Sequence, residues 1–169
     1  MRCTHLTSSG KRCKNDALKG KSACHIHAGE VTLFEKLGGI VAIAAVVNDF
    51  SDNLLTNPIV GKDSKNPQLR DWSRNHLDRL PFLKFGRTLW LASISGGPYE
   101  FVSTKPDPPS SGDHSLHNPH AKFHITSEEF DAVAQELAAS LDRFKVPKDL
   151  KKQVLNVFAE HKAEVINPK

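Results

Sequence analysis

The chain has 169 residues, with 23 Lys plus Arg against 19 Asp plus Glu, nine His and three Cys. That length suits one domain with a small appendage. The 38% hydrophobic and 25% charged content is that of a globular, core-forming chain. The longest apolar run, Ile40 to Val47, is too short to span a membrane, and the polar, basic first residues do not read as a signal peptide.

Charge is unevenly spread. Residues 1–29 hold six bases (Arg2, Lys11, Arg12, Lys14, Lys19, Lys21) and one acid, Asp16. The remaining residues hold seventeen bases and eighteen acids. The basic character therefore belongs to the N-terminal segment, which argues against a nucleic-acid surface over the whole protein. All three cysteines also lie in that segment. An odd cysteine count without a secretion signal argues against a disulfide framework and for a reducing, cytoplasmic setting.

Cys3, Cys13, Cys24 and His27 have the spacing C-x9-C-x10-C-x2-H. Zn2+ takes four tetrahedral N or S ligands, and the short C-x2-H turn supplies two of them. A segment this small has no core of its own, so a metal is the natural organiser. His5 and His25 are rival nitrogen donors, with His25 poorly placed to chelate beside Cys24. The competing reading is a disordered basic tail with incidental thiols. The stretch Ser9-Gly-Lys-Arg-Cys13-Lys-Asn15, Gly20 and Cys24-His-Ile-His27 resembles a small Cys3His zinc-binding module found at the ends of diverse bacterial and phage proteins. That resemblance implies a metal and little about activity.

The body, residues 30–169, reads as all-α. Thr32-Leu-Phe-Glu35 has the form of a capping box and opens a short helix that Gly38-Gly39 should stop. A second helix follows, with Ile40, Ile43, Val46, Val47, Phe50, Leu54 and Leu55 on one stripe, ending near Asn57-Pro58. Residues 60–76 read as loop or weak turn. A third helix runs from Leu80 or Pro81 to Ser95, with Leu83, Arg87, Trp90, Leu91 and Ile94 on a broad face, and Gly96-Gly-Pro98 stops it. Residues 103–119 form a long polar loop. Thr126-Ser-Glu-Glu129 is a second capping box, ahead of Phe130, Val133, Leu137, Leu141 and Phe144. Pro147 starts a last helix with Leu150, Val154, Val157, Phe158, His161 and Val165 in line. No strand or hairpin signal stands out.

Four histidines, His114, His117, His120 and His124, crowd the stretch before the second capping box. The apolar faces are broad for so few helices, and an extra apolar partner such as a haem accounts for both features. A haem needs one axial imidazole and an apolar cleft. Leu33-Phe-Glu-Lys-Leu-Gly-Gly39, Val46-Val-Asn-Asp-Phe50, Gly96-Gly-Pro98, His120-Ala-Lys-Phe-His-Ile-Thr126 with Phe130, Phe144-Lys-Val-Pro147 and Lys162-Ala-Glu-Val-Ile166 together resemble a group I truncated haemoglobin. The resemblance covers residues 33–166. It implies a two-over-two helical sandwich, preceded here by the zinc-organised segment 1–29, and a haem b whose iron is held by His120.

The resemblance also places Phe50 in the distal pocket and Leu83, Arg87, Trp90 and Leu91 on the haem-facing side of the third helix. Phe123 and Ile125 close the proximal side. Phe130, Val133 and Val157 are shared core and pocket wall. His117 counts among the cofactor-pocket candidates, although a surface position is the simpler reading for it, as for His114 and His124. Where the family often has a Tyr–Gln distal pair, this chain has Ser51 and Arg87. Arg87 or Lys84 is then the substitute donor to a bound ligand, or a partner of the haem propionates. His76, just before the third helix, is a weaker candidate for a distal ligand.

These readings imply a bacterial, cytoplasmic haem protein that binds diatomic gases (O2, NO, CO) for scavenging or sensing. Nitric oxide dioxygenation or a peroxidase-like activity would also require a redox partner, and no flavin or nicotinamide site is visible. The alternative is a haem-free helical module whose zinc knuckle binds a protein partner or nucleic acid. A non-haem enzyme built on the histidine cluster is the weakest reading.

Overall fold

Two side chains that close backbone caps set the frame. Thr32 accepts from the Glu35 amide at 3.2 Å while Glu35 accepts from the Thr32 amide at 2.8 Å. Thr126 and Glu129 repeat the arrangement at 3.2 and 2.8 Å. Each reciprocal pair satisfies amides that the first helical turn leaves without partners, and each opens a helix. The computed structural model describes residues 2–6, 11–18, 24, 27, 29, 31–99 and 120–166.

In chain order the described α-helices are α1 (Leu33–Lys36), α2 (Gly39–Thr56), α3 (Pro67–Asn75), α4 (Leu80–Ile94), α5 (Ser127–Arg143), α6 (Lys148–Ala159) and α7 (Lys162–Ile166). Short 3-10 turns cover Leu77–Arg79 and Ala121–Phe123. Gly38 and Gly39 both take positive φ, 92° and 77°, which lets the chain reverse between α1 and α2 at little cost. α2 packs on α4 on one side and on α5 on another, and α5 packs on α6 and α7. The pairs α2–α4 and α5–α6 form the two layers of a two-over-two sandwich. Between them lies one apolar core that includes Val47, Phe50, Trp90, Phe130, Leu141 and Val154.

Polar ties reinforce the layers. Asp49 on α2 accepts from Ser140 and Arg143 on α5, both at 2.8 Å. Asn66 donates to the Phe123 carbonyl at 2.9 Å and to Glu129 at 3.3 Å, tying the start of α3 to the turn before α5. No helix among the described residues is long and apolar enough to cross a membrane.

Three expectations from sequence need correction. Residues 60–76 are not all loop: Asn66 caps the amides of Gln68 and Leu69, and Pro67 sits in the first turn of α3. Its fixed φ suits that position, so the proline marks a helix start and not a break. The last helix is two helices. The α6 ladder ends by Glu160, and His161 restarts the chain by bonding Glu164 at 2.9 Å. The N-terminal segment holds isolated antiparallel bridges, Arg2 with Asp16 and Leu6 with Arg12, where no strand pairing was expected. The expected loop at 103–119 lies outside the described residues.

Candidate functional site

Backbone pairing brings the N-terminal cluster together. The Cys3 amide donates to the Asn15 carbonyl, and the Cys13 amide to the His5 carbonyl, each at 2.8 Å. The Sγ atoms of Cys3, Cys13 and Cys24 and a ring nitrogen of His27 then lie within 4.8 Å of one another. Cys13 and Cys24 are 3.9 Å apart at sulfur. His27 Nδ1 is 3.5 Å from Cys3 Sγ and 3.3 Å from Cys24 Sγ. Tetrahedral zinc with Zn–S near 2.3 Å sets its ligand atoms about 3.5–3.8 Å apart, and the spacings of 3.3, 3.5 and 3.9 Å come close to that donor set.

The sulfur–sulfur distance is far beyond a disulfide, and all three cysteines are reduced. The Cys24 amide donates to Cys3 Sγ at 3.2 Å, and Asn15 Nδ2 approaches Cys24 Sγ at 3.8 Å. Such N–H···S contacts favour thiolates. For Cys13, the Asn15 backbone contact lowers the thiol pKa, but burial and the nearby Cys24 and Cys3 outweigh it and raise it overall. His5 stacks on the His27 ring at 4.0 Å. It braces the His27 ring and is not part of the four-atom cluster. His25 lies outside the described residues.

This segment docks on the body. Arg12 donates to the Ser93 carbonyl near the end of α4 at 3.3 Å. Gly96 has φ of 87°, and a Cβ there would sit 2.7 Å from the Thr4 carbonyl. Leu6 packs against the main core. Nothing in the sequence signalled this contact, because it runs through backbone carbonyls.

In the body, α4 carries Leu83, Arg87, Trp90 and Leu91 at offsets of four, three and one, which keeps them on neighbouring faces of the helix. Trp90 and Leu91 are buried, whereas Leu83 and Arg87 are half-buried. The Trp90 ring meets Phe158 edge-on at 6.0 Å and His161 at 5.0 Å. Phe130 stacks on Phe158 at 5.0 Å. Among the described residues the backbone of α4 lies closest to α2, and its side chains reach α6 through Trp90 and Phe158.

Arg87 Nη1 donates to Ser51 Oγ at 3.0 Å, and its guanidinium lies 5.4 Å above the Phe50 ring. Burial pushes the guanidinium pKa down to about 10. Ser51 and Phe50 are buried on α2. Lys84 points elsewhere, bonding Asn48 at 2.7 Å and Asp52 at 2.6 Å. His76 is held by Asp71 at 3.2 Å.

On the other side, His120 is half-buried and immediately precedes the Ala121–Phe123 turn. Phe123 is half-buried, Ile125 is buried, and His124 is exposed with φ of 49°. His114 and His117 lie outside the described residues. Val133 is half-buried, and Val157 is buried in the core. Sequence reasoning missed Asn66, whose bonds to Phe123 and Glu129 brace the turn that follows His120. Its signal was the Asn-Pro step that starts α3. A polar hollow of about 460 Å3, lined by Pro58, Ile59, Lys65, Asn66, His124 and Glu128 among others, lies beside that brace. It holds none of the expected cofactor residues.

A two-over-two helical sandwich, entered through a very short first helix and a glycine-pair reversal, is the architecture of a truncated globin. The chain belongs to the bacterial-like globin family, whose model matches residues 32–167. Family membership implies a haem.

Solved structures agree on the fold. The 2/2 haemoglobin of Synechococcus sp. PCC 7002 matches with a TM-score of 0.61 at 22% identity, covering 81% of this chain and 99% of that one. A group II truncated haemoglobin of Bacillus anthracis matches with a TM-score of 0.61 at 21% identity, covering 81% and 91%. The haemoglobin of the thermophile Chloroflexus aurantiacus matches with a TM-score of 0.57 at 26% identity, covering 82% and 99%. No curated protein matches the chain in sequence.

The residues present fit a haem. The donor set offers one imidazole at a turn, aromatic and aliphatic walls from Phe50, Leu83, Trp90, Leu91, Phe123 and Ile125, and a cation inside the α4 face.

Proposed function

We propose that the body holds a haem b on the imidazole of His120 and binds diatomic ligands (O2, NO, CO) reversibly, in gas scavenging or sensing. The observation that carries this reading is the Leu83–Leu91 face of α4, apolar except for Arg87 and only half-buried at Leu83 and Arg87 among the described residues. A bound haem would supply an iron able to take up a diatomic molecule. The b type is supported by the cysteines, all of which lie in the N-terminal cluster and leave no thiol in the body for a thioether link.

His120 would hold the iron through a ring nitrogen. Phe123 and Ile125 wall the proximal side and exclude water. Phe50, Leu83, Trp90 and Leu91 wall the distal side. Ser51 and Arg87 stand where the family often has Tyr and Gln, and they supply donors to a bound polar ligand. Lys84, paired with Asp52 and Asn48, belongs to the rim, and His117 falls in the stretch leading to His120.

Glycine pairs at 38–39 and 96–97 support a group I assignment. Nothing in the body offers a flavin or nicotinamide site, so turnover such as NO dioxygenation depends on a separate redox partner. The N-terminal Cys3His cluster is assigned Zn2+. Arg12 is already committed to the Ser93 carbonyl, which takes one cation out of any nucleic-acid contact of that segment.

The experiment is haem reconstitution of the wild type beside His120→Ala. Wild type should give a sharp Soret band with about one haem per chain. The variant should lose it, or lose haem to a scavenging apoglobin at least tenfold faster. An unchanged spectrum and retention in His120→Ala contradicts the assignment.

A further inference from the structure

Arg87 is an unusual residue to find on the inner face of α4. A guanidinium among apolar walls is costly unless an acceptor neutralises it. Here the described residues offer it one neutral acceptor, Ser51 Oγ, and one aromatic face, Phe50. No carboxylate among them pairs with it, although other cations nearby are paired: Lys84 with Asp52, and Arg143 with Asp49 and Glu136. Its other N–H groups are not sealed inside protein.

Position separates two uses of such a cation. A propionate partner sits at the rim of a pocket, where water reaches. Arg87 is one turn inward of Leu83 and one turn before Trp90 and Leu91. It is anchored to Ser51, which is 1% exposed. The hydroxyl therefore draws the guanidinium toward the interior of the α2–α4 layer, while Lys84 occupies the edge. A hydroxyl that accepts from a guanidinium also keeps its own O–H to donate, so the pair presents several donors and a positive charge with no acceptor facing the pocket.

We propose that Ser51 and Arg87 form a binding site for small anions on the distal side of the pocket, so that the ferric protein selects anionic over neutral ligands. The inference rests on the haem reading above. The ligand class is small, hydrogen-bond-accepting anions of the fluoride, azide, nitrite or hydroperoxide kind. Charge-assisted hydrogen bonds of the type Arg87 would make are about twice as strong as neutral ones. The guanidinium acts before and after the anion arrives: it concentrates the anion at the pocket and then holds it, with no proton required from the ligand.

The test is a titration of the haem-loaded ferric full-length chain with fluoride and with azide, followed by absorption, with CO binding to the ferrous form as the neutral control. Arg87→Leu should weaken fluoride about ten- to hundredfold, a loss at least about tenfold larger than any change it makes in CO affinity. Ser51→Ala, a gentler change, should weaken fluoride several-fold, and Arg87→Lys should restore part of the loss. Fluoride affinity unchanged in both Arg87→Leu and Ser51→Ala overturns the proposal, as does an equal fall for fluoride and CO. Faster haem loss from Arg87→Leu with fluoride affinity intact places the guanidinium on a propionate and also overturns it. A wild-type chain that takes up no haem overturns this inference together with the haem reading, whereas a haem-loaded chain indifferent to Arg87 overturns this inference alone.

Discussion

Cys3 and Cys24 are as inaccessible as Val154, but their surroundings differ. Val154 belongs to a cluster of buried aliphatic and aromatic side chains contributed by α1, α2 and α4 through α7. The cysteines form a cluster of their own, with one another as its members. Apolar burial of the order of 25 cal/mol per Å2 can hold the body together. The N-terminal cluster buries three thiols and half-buries an imidazole, groups that gain far more from a shared cation than from contact with each other. The difference teaches that one chain can carry two cores with separate failure modes. The body should survive loss of metal, and the cluster should survive loss of haem.

The largest effect that can break this comparison is metal removal. A strong chelator should extract about one zinc per chain and expose the Cys3 and Cys13 amides to hydrogen exchange. Structural zinc contributes about 10–16 kcal/mol in small peptides, so the segment should lose its order outright. The helical body should keep its circular dichroism and lose less than about 5 °C in Tm, equivalent to roughly 1 kcal/mol. Simultaneous melting of both regions would show that they are one cooperative unit.

A smaller effect probes the seam. Gly96→Ala adds a Cβ at positive φ and drives it toward the Thr4 carbonyl. The left-handed backbone alone costs about 1–2 kcal/mol, and the clash adds to it. The variant should melt lower and show faster exchange in the N-terminal segment. An unchanged Tm with unchanged exchange would mean that the segment does not rest on Gly96.

The smallest effect lies within the body. Burial works to raise the Asp49 carboxyl, but hydrogen bonds from Arg143, Ser140 and Asn53 and the Arg143 charge outweigh it and hold the pKa low. A carboxylate held low in the folded state stabilises the protein above its unfolded pKa, near 3.9. That contribution is lost as pH falls through the lower folded value. Asp49→Asn should therefore cost about 1 kcal/mol at neutral pH, modest because Arg143 is well exposed. The gap between wild type and variant in urea unfolding should narrow as pH falls below the ordinary carboxyl range. A gap that persists at low pH would assign the effect to packing.

Much of this architecture was legible because its signals are local. The capping boxes at Thr32 and Thr126 and the apolar period of α2 depend on residues three or four apart. Gly38-Gly39 announced a reversal that positive φ requires. The four-ligand spacing identified the cluster before any distance was known. Long-range features were not legible. α3 was hidden because Asn66-Pro67 reads equally as a turn and as an N-cap with a first-turn proline, and its helix is too polar to show a stripe. The α6–α7 break depends on a His161–Glu164 bond that competes with an otherwise continuous apolar pattern. Seating of the N-terminal segment on Ser93 and Gly96 uses carbonyl oxygens, which every residue has. The Ser51–Arg87 pair joins positions 36 apart. Each residue alone looked like a departure from the family, and together they make a donor pair.

The most direct measurement is an absorption spectrum of the ferric, ferrous and CO-bound chain, taken beside an elemental count of iron and zinc on the same sample. The account predicts about one iron and one zinc per chain, with a Soret band that sharpens and shifts when CO binds the ferrous form. Zinc without iron after growth with ample haem supply, and no Soret band on reconstitution, would contradict it.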